Sequence, residues 1–345
     1  MNEPILTIVV PCYNEEEVLP YTFEELKVVM NEMVKEGLVS NRSKLLFVDD
    51  GSVDQTWTLI YKETIQNEFV RGLKLSRNVG HQNALLAGLF KAKELSDCVV
   101  SIDADLQDDS AAIKEFLKKY KEGYEIVYGV RNKRDSDTIF KRTTAQTFYK
   151  LMRAMGVELV YNHADFRLMS KRAIEKLEGF EEMNLFLRGI VPLIGFNSTN
   201  VYYERKERVA GKTKYPLKKM LSFAFDGITS FSVTPIRSVL FIGLISFLGS
   251  FVFALYFLSL KFFGDTEIGW TSLITSIWLI GGLQLIAVGL IGEYIGKIYK
   301  EVKRRPKYIV DIDAFTVPMA GHLGESGGIE DESILLDHGE ISNSN

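Results

Sequence analysis

Several short polar stretches in this chain follow apolar runs, and their side chains could do chemistry. The first is Asp103-Ala104-Asp105-Leu106-Gln107-Asp108, which follows Cys98–Ile102. Two carboxylates one residue apart at a strand end can share a divalent cation. Mg²⁺ or Mn²⁺ suits such oxygen ligands and completes its shell with phosphate oxygens. A departing diphosphate needs that neutralisation, because charge grows on it as its bond breaks. A helix cap at Asp109 or Ser110 would account for those two residues and leave Asp103 unexplained. The second is Asp49-Asp50-Gly51-Ser52-Val53-Asp54. An acid at a strand end can accept hydrogen bonds from a nucleobase or ribose. Gly51 frees the turn, and Asp54 reads as the N-cap of the next helix. The third, Pro11-Cys12-Tyr13-Asn14-Glu15-Glu16, adds an aromatic face and further acceptors. No strand is followed by Gly-x-Gly-x-x-Gly, and no phosphate-binding P-loop is present. Both absences argue against a dinucleotide oxidoreductase and an NTPase.

These stretches need elements to position them, and the first half of the chain alternates strand and helix patterns. Strands are expected at Ile5–Pro11, Lys44–Val48, Gly72–Leu75, Cys98–Ile102 and Glu125–Gly129. Helices are expected over Glu15–Val34, Gln55–Gln66, Gln82–Lys93 and Ala111–Lys121. Such alternation implies right-handed βαβ units and a mostly parallel sheet. Ligands then bind beyond the carboxyl ends of the strands, where the acidic stretches fall. The amino-terminal apolar run has strand length and lacks the basic and small-residue flanks of a secretory leader.

The chain has 345 residues, 46% of them hydrophobic and 25% charged, with a formal charge of -4. The acidic balance lies in residues 317–345, which carry six acids and no Lys or Arg; the rest holds 41 basic and 39 acidic side chains. No nucleic-acid partner is expected. Cys12 and Cys98 form no disulfide framework, and four scattered histidines make no zinc pattern.

Two uncharged stretches follow the α/β region: Ser238–Leu260 with 23 residues and Ile268–Gly292 with 25. At ~1.5 Å per residue each is long enough to cross a ~30 Å hydrocarbon core. The connector Lys261–Glu267 makes them a hairpin. Lys212, Lys214, Lys218, Lys219 and Arg237 precede it, and Lys297, Lys300, Lys303, Arg304, Arg305 and Lys307 follow it. That bias predicts both termini on the cytoplasmic face of the cell membrane. The basic amphipathic segments Phe140–Met155 and Tyr215–Phe231 suit the headgroup region. The division expected is a cytoplasmic domain over 1–233, a transmembrane hairpin over 234–296 with spans at about 238–260 and 268–292, and a cytoplasmic segment over 297–345. That last segment is basic near the membrane and is expected to be a disordered acidic tail after Pro306.

In order, Pro11–Glu16, Asp49–Asp54, Ser76-Arg77-Asn78-x-Gly80-His81-Gln82 and Asp103–Asp108 resemble the family 2 glycosyltransferases of the GT-A (nucleotide-diphospho-sugar transferase) fold. Ala164-Asp165-Phe166-Arg167-Leu168 and Tyr203-Glu204-Arg205-x-x-Arg208-x-x-Gly211-x-Thr213-Lys214-Tyr215 are similar to segments of its polyprenyl-phosphate hexosyltransferases, the bactoprenol glucosyltransferase-like and dolichyl-phosphate mannose synthase-like enzymes. The resemblance covers about residues 5–305 and includes the hairpin. It implies that Pro11, Tyr13, Glu15 and Asp50 line a nucleoside pocket and that Asp103 sits under ribose and diphosphate. It implies that Asp105 and Gln107, with Asp103, hold Mg²⁺ or Mn²⁺. Arg131 would serve a substrate phosphate, Asp165 would face the reacting carbon, and Arg205, Arg208 and Lys214 would bind phosphates. Read without the resemblance, Arg131 fits a solvated turn as well, and Arg205, Arg208 and Lys214 fit attraction to an anionic membrane surface.

The implied reaction is a single inverting transfer of one hexose from a nucleotide-sugar, a UDP-sugar first, to a polyprenyl (undecaprenyl) phosphate. The acceptor is already an anion near neutral pH, so no strong general base is required. Asp105 is essential in that reading. Asp165 can act as base, orient the acceptor or steady positive charge on the sugar. The hairpin anchors the domain in the bilayer and can serve as a contact in a homo-oligomer. Two alternatives are weighed. A processive polysaccharide synthase is disfavoured because none of Trp57, Trp270 and Trp278 follows an arginine. A non-enzymatic sugar-nucleotide-binding scaffold would not need the Asp103/Asp105/Gln107 set.

Overall fold

A computed structural model of the chain describes residues 3–131, 163–183, 187–205 and 270–316, with short helical stretches between 236 and 252. The elements run β1 (Leu6–Cys12), α1 (Leu19–Lys35), β2 (Lys44–Asp49), α2 (Thr56–Gln66), β3 (Val70–Leu75), α3 (His81–Ala92), β4 (Cys98–Ser101), α4 (Ala112–Lys121) and β5 (Ile126–Arg131). They continue as β6 (His163–Ser170), α5 (Lys171–Leu177), α6 (Leu187–Leu193), β7 (Ser198–Tyr203), α7 (Trp270–Val302) and β8 (Val310–Asp313). The five strands and four helices expected in the first half are all present, with ends displaced by a few residues.

The strands form one sheet in the order β7-β5-β6-β4-β1-β2-β3-β8. β4, β1, β2 and β3 are mutually parallel, and β5 pairs parallel with β7. β6 runs antiparallel between β4 and β5, and β8 antiparallel beside β3. The fold is therefore α/β with a mostly parallel sheet.

Strand periodicity explains why β1 is buried throughout and almost entirely apolar. Alternate side chains enter opposite faces, and here both faces are covered. Leu6, Ile8 and Val10 join Phe23, Leu26 and Met30 of α1 in one core layer. Val9, with Leu46 and Val48 of β2, joins Ala84, Leu85 and Ala87 of α3 in the other. Each fully buried Leu, Ile or Val contributes roughly 1.5–3 kcal/mol, so these two layers hold the sheet. Gly88 lets α3 approach closely, because a Cβ there would lie 2.8 Å from Val48 Cγ2 and closer still to Val9.

The carboxyl-terminal segment corrects one expectation. Residues after Pro306 are not a disordered tail from the start. Ile309 accepts from the Ser76 amide, β8 pairs with β3, and Phe315 is buried in the α3-side core. Lys91 pairs with Asp313 at 2.8 Å. The acidic composition hid a short β-branched run, Ile309-Val310-Asp311-Ile312, which finds the open edge of β3. Residues 317–345 lie outside the described residues.

α7 begins at Trp270, inside the second expected span, and runs ten residues beyond that span's end, to Val302. It exposes Leu285, Ile286, Val288, Ile291, Ile295 and Ile298. Among the described residues no helix is long and apolar enough to cross a membrane. Most of the first span and its connector, and both amphipathic segments, Phe140–Met155 and Tyr215–Phe231, lie outside the described residues.

Candidate active site

One strand register decides where the site lies. Ser101 of β4 faces Arg167 of β6 in an antiparallel pair. Moving two residues forward on one strand and two back on the other brings Asp103 and Asp165 to the same edge. The Ser101 hydroxyl donates to the Asp165 carbonyl oxygen and pins that junction. His81, the first residue of α3, spans it. Its Nε2 lies 3.6 Å from Asp103 Oδ1 and 3.7 Å from Asp165 Oδ2.

Asp165 is the most heavily compensated acid of the site. It accepts from Arg167 Nη2 at 2.6 Å and from Arg188 Nε and Nη2 at 3.4 and 3.3 Å. Burial by itself would raise its pKa, but the charges of Arg188 and Arg167 and the nearby His81 outweigh burial. The carboxyl is held well below its ordinary value. His81 shows the converse balance. Burial would lower it, while Asp165 and Asp103 lift it to about 9, so it is a cation at neutral pH. Asp103 is raised to about 6, chiefly by burial and further by Asp108, Asp165 and Asp105, against the opposing charge of His81.

The loop after β4 turns sharply. Leu106 has φ 53, a left-handed conformation uncommon for a non-glycine residue. The turn is tied on both sides. Asp105 Oδ1 accepts from the Gln107 amide at 3.2 Å. Asp108, 1% exposed, accepts from Arg131 at 2.8 and 3.0 Å and from the Tyr203 hydroxyl at 2.5 Å. Arg131 therefore reaches the site edge but is engaged by Asp108 and Tyr203. Arg205, two residues beyond Tyr203, donates from Nη2 to Gln107 Oε1.

The loops after β1 and β2 are sewn together beside this edge. Asn14 N donates to Ser52 Oγ at 3.0 Å, Glu15 N to Thr56 Oγ1 at 2.9 Å, and Val53 N to Asn14 Oδ1 at 3.0 Å. Pro11 is buried and Tyr13 is exposed. Asp50 is 2% exposed, and both its oxygens are taken by the amides of Val79 and Gly80, at 2.8 and 2.9 Å. Its carboxylate thus fixes the turn that starts α3 and delivers His81. Gly51 is required here: its φ is +65, and a Cβ would meet the Arg77 carbonyl carbon at 2.5 Å.

Asp103, Asp105, Gln107, Asp165, Arg131 and Arg205 thus gather at one edge, with Pro11 at the end of β1 and Tyr13, Glu15 and Asp50 on the neighbouring loops. Arg208 and Lys214 lie outside the described residues. His81, Arg167 and Arg188 hold Asp165, and Asp108 and Tyr203 hold the loop after β4; sequence reasoning gave none of these a role. Arg188 had a readable signal, a lone basic residue within the apolar run Leu187-Arg188-Gly189-Ile190-Val191. Two clefts of about 330 and 450 Å³ lie elsewhere, beside Glu181 and Glu301 and beside Asp97 and Tyr120, and contain no candidate residue.

The residues fit a hard divalent cation. Among the described residues no three His, Cys, Asp or Glu side chains converge as a complete cage. Mg²⁺ and Mn²⁺ do not need one, since they bind through one or two carboxylates and keep positions for phosphate and water. Asp103 Oδ1 is buried without a hydrogen-bond partner, as are Asp108 Oδ2 and Asp49 Oδ2 at the same sheet edge. Buried acceptors of this kind mark places where a cation or a ligand donor belongs.

Comparison with known proteins agrees with this architecture. The glycosyl transferase family 2 model matches residues 7–178. The uncharacterized glycosyltransferase YkoT of Bacillus subtilis is 62% identical over 91% of this chain and 93% of its own length. The prophage bactoprenol glucosyl transferase homolog of Escherichia coli is 38% identical over 88% of this chain and 98% of its own length. A glucosyl-3-phosphoglycerate synthase from Mycobacterium tuberculosis, solved with Mn²⁺, UDP and phosphoglyceric acid, is 20% identical over 66% of this chain and 76% of that one, with a TM-score of 0.44. The family match spans the strands that carry Asp50, Asp103 and Asp165, and the relatives extend over nearly the whole chain: this protein belongs to glycosyltransferase family 2.

Proposed function

We propose that the protein transfers a single hexose from a nucleotide-sugar, a UDP-sugar first, to a polyprenyl phosphate at the cytoplasmic face of the membrane, inverting the anomeric carbon. The observation that carries this reading is the meeting of Asp103 and Asp165 across β4 and β6, with His81 between them and Arg167 and Arg188 behind. The 38% identical relatives named bactoprenol glucosyl transferases support the lipid-phosphate acceptor. The two uncharged stretches of 23 and 25 residues, and the exposed apolar side of α7, support anchoring by a hairpin.

In this reaction a phosphate oxygen of the lipid forms a bond to the anomeric carbon as the bond to the nucleoside diphosphate breaks. The bonding electrons leave with the diphosphate. Asp105 and Gln107, with Asp103, would hold Mg²⁺ or Mn²⁺, which supplies charge neutralisation for that leaving group. The acceptor arrives already ionised, so no proton has to be removed. Asp165 suits that situation. Held far below its ordinary pKa by two guanidinium groups, it is a poor base and a permanent anion. It orients the acceptor side and steadies positive charge developing on the sugar ring. His81⁺, Arg188 and Arg205 moderate the repulsion between two anionic substrates.

The test is to incubate membranes containing the protein with labelled nucleotide-sugars and follow label into the organic phase. Label that depends on the protein and disappears in a folded Asp105→Ala variant supports both the transfer and the metal site. Retained label in that variant removes the metal assignment. Binding of a nucleotide-sugar without any lipid product favours the scaffold alternative.

A further inference from the structure

We propose that Arg205 couples metal binding to diphosphate binding, by occupying the Gln107 side-chain oxygen until a divalent cation takes that atom. The inference rests on the reading of Gln107 as a metal ligand. Three observations carry it. Arg205 donates to Gln107 Oε1, the only atom of that side chain able to ligate a hard cation. Both ends of this contact are set by one buried anchor. Gln107 precedes Asp108, Arg205 follows Tyr203 by two residues, and Tyr203 donates to Asp108 at 2.5 Å with both residues under 5% exposed. The guanidinium is thereby directed to the same place, and Arg205 itself is exposed.

A guanidinium and a divalent cation on one oxygen would repel, so the two do not share it comfortably. Metal alone must displace Arg205 and gives it nothing in return. Metal with a nucleoside diphosphate offers Arg205 a better partner, because phosphate oxygens carry charge and accept two parallel guanidinium N–H bonds, whereas the Gln107 amide oxygen is neutral. Cation and diphosphate then favour each other's binding through Arg205, in addition to their direct contact. Linkage makes that coupling reciprocal.

The experiment measures free Mn²⁺ by electron paramagnetic resonance against the full chain in detergent, with and without UDP. Wild type is compared with Arg205→Ala, Arg205→Gln and Gln107→Ala. Without UDP, both Arg205 variants are expected to bind Mn²⁺ about fivefold more tightly, because the bond from the guanidinium to Gln107 Oε1 no longer has to be broken. The enhancement of Mn²⁺ binding by UDP is expected to shrink by at least the same factor. Unchanged or weaker Mn²⁺ binding in both Arg205 variants, with Gln107→Ala weakened as a ligand variant should be, overturns the coupling and leaves the metal site standing. Mn²⁺ binding indifferent to Gln107→Ala removes Gln107 from the metal site and the coupling with it.

Discussion

At the scale of single residues, the decisive feature is the charge balance around Asp165. Arg167 is 2% exposed and has this carboxylate as its nearest counter-charge. Removing one member of a buried pair strands the other, at a cost of about 3–5 kcal/mol. Asp165→Ala should therefore lower the thermal midpoint as well as abolish transfer. Asp165→Glu, which keeps the charge, should recover much of the stability and little of the activity; differential scanning fluorimetry alongside the lipid-transfer assay checks both. The pH dependence has a definite direction. The native carboxyl titrates below its unfolded value, so its stabilising contribution is complete above about pH 4 and is lost as pH falls through the depressed native pKa. A transfer rate that falls between pH 7 and pH 5 through titration of Asp165 would contradict its role as a permanent anion; comparing the profile with that of Asp165→Glu identifies the group.

At the scale of elements, close packing and the edge strand β8 make separate predictions. Gly88→Ala forces a methyl group between α3 and the sheet against Val9 and Val48, and overpacking of this kind costs about 1–3 kcal/mol. Because α3 also carries His81, transfer should fall further than the stability loss alone would cause, which parallel unfolding and rate measurements can separate. β8 fastens the end of α7 to the catalytic sheet. Met183 N donates to both Glu301 oxygens at 2.8 and 2.9 Å, and Lys307 donates to the Phe180 carbonyl at 3.0 Å. Phe315, 3% exposed, is the apolar plug of this strap. Phe315→Ala should cost about 3–5 kcal/mol locally and raise hydrogen exchange at the amides of β3 before the rest of the sheet responds. Asp313 reports on the same strap. Burial would raise its pKa, yet Lys91 and the Thr316 and Phe315 donors hold it below the ordinary value. Its contribution is thus present above the unfolded pKa and lost as pH falls through the lower native one.

At the scale of the whole molecule, the proposed hairpin fixes which side of a membrane each part would face. The basic residues flanking the two uncharged stretches predict a cytoplasmic catalytic domain and a connector on the opposite side. The cysteines make this easy to measure, since Cys12 and Cys98 are 2% and 0% exposed and should not react. Asp265→Cys, in the connector, should be labelled by an impermeant maleimide on intact cells. Val53→Cys, at a position 87% exposed in the catalytic domain, should be labelled only after lysis. The reverse pattern would invert the topology.

The local order of this protein is written in its sequence. Apolar runs made β1, β2 and β4 readable, because strands covered on both faces cannot alternate with polar residues, and the runs of β2 and β4 lead directly into acids. The acids at their ends were readable as a ligand edge for the same reason: parallel strands all finish on one side. What the sequence could not determine is which distant residues share that edge. The pairing of Asp103 with Asp165 follows from the β4–β6 register, and the engagement of Arg131 by Asp108 and Tyr203 follows from β5 and β7 ending side by side. A run such as Ile309–Ile312 is too short to announce a strand by itself. It becomes one because β3 leaves an edge of unpaired amides and carbonyls beside it. Contacts of this kind depend on positions in space that no local pattern encodes, and the tertiary structure alone decides them.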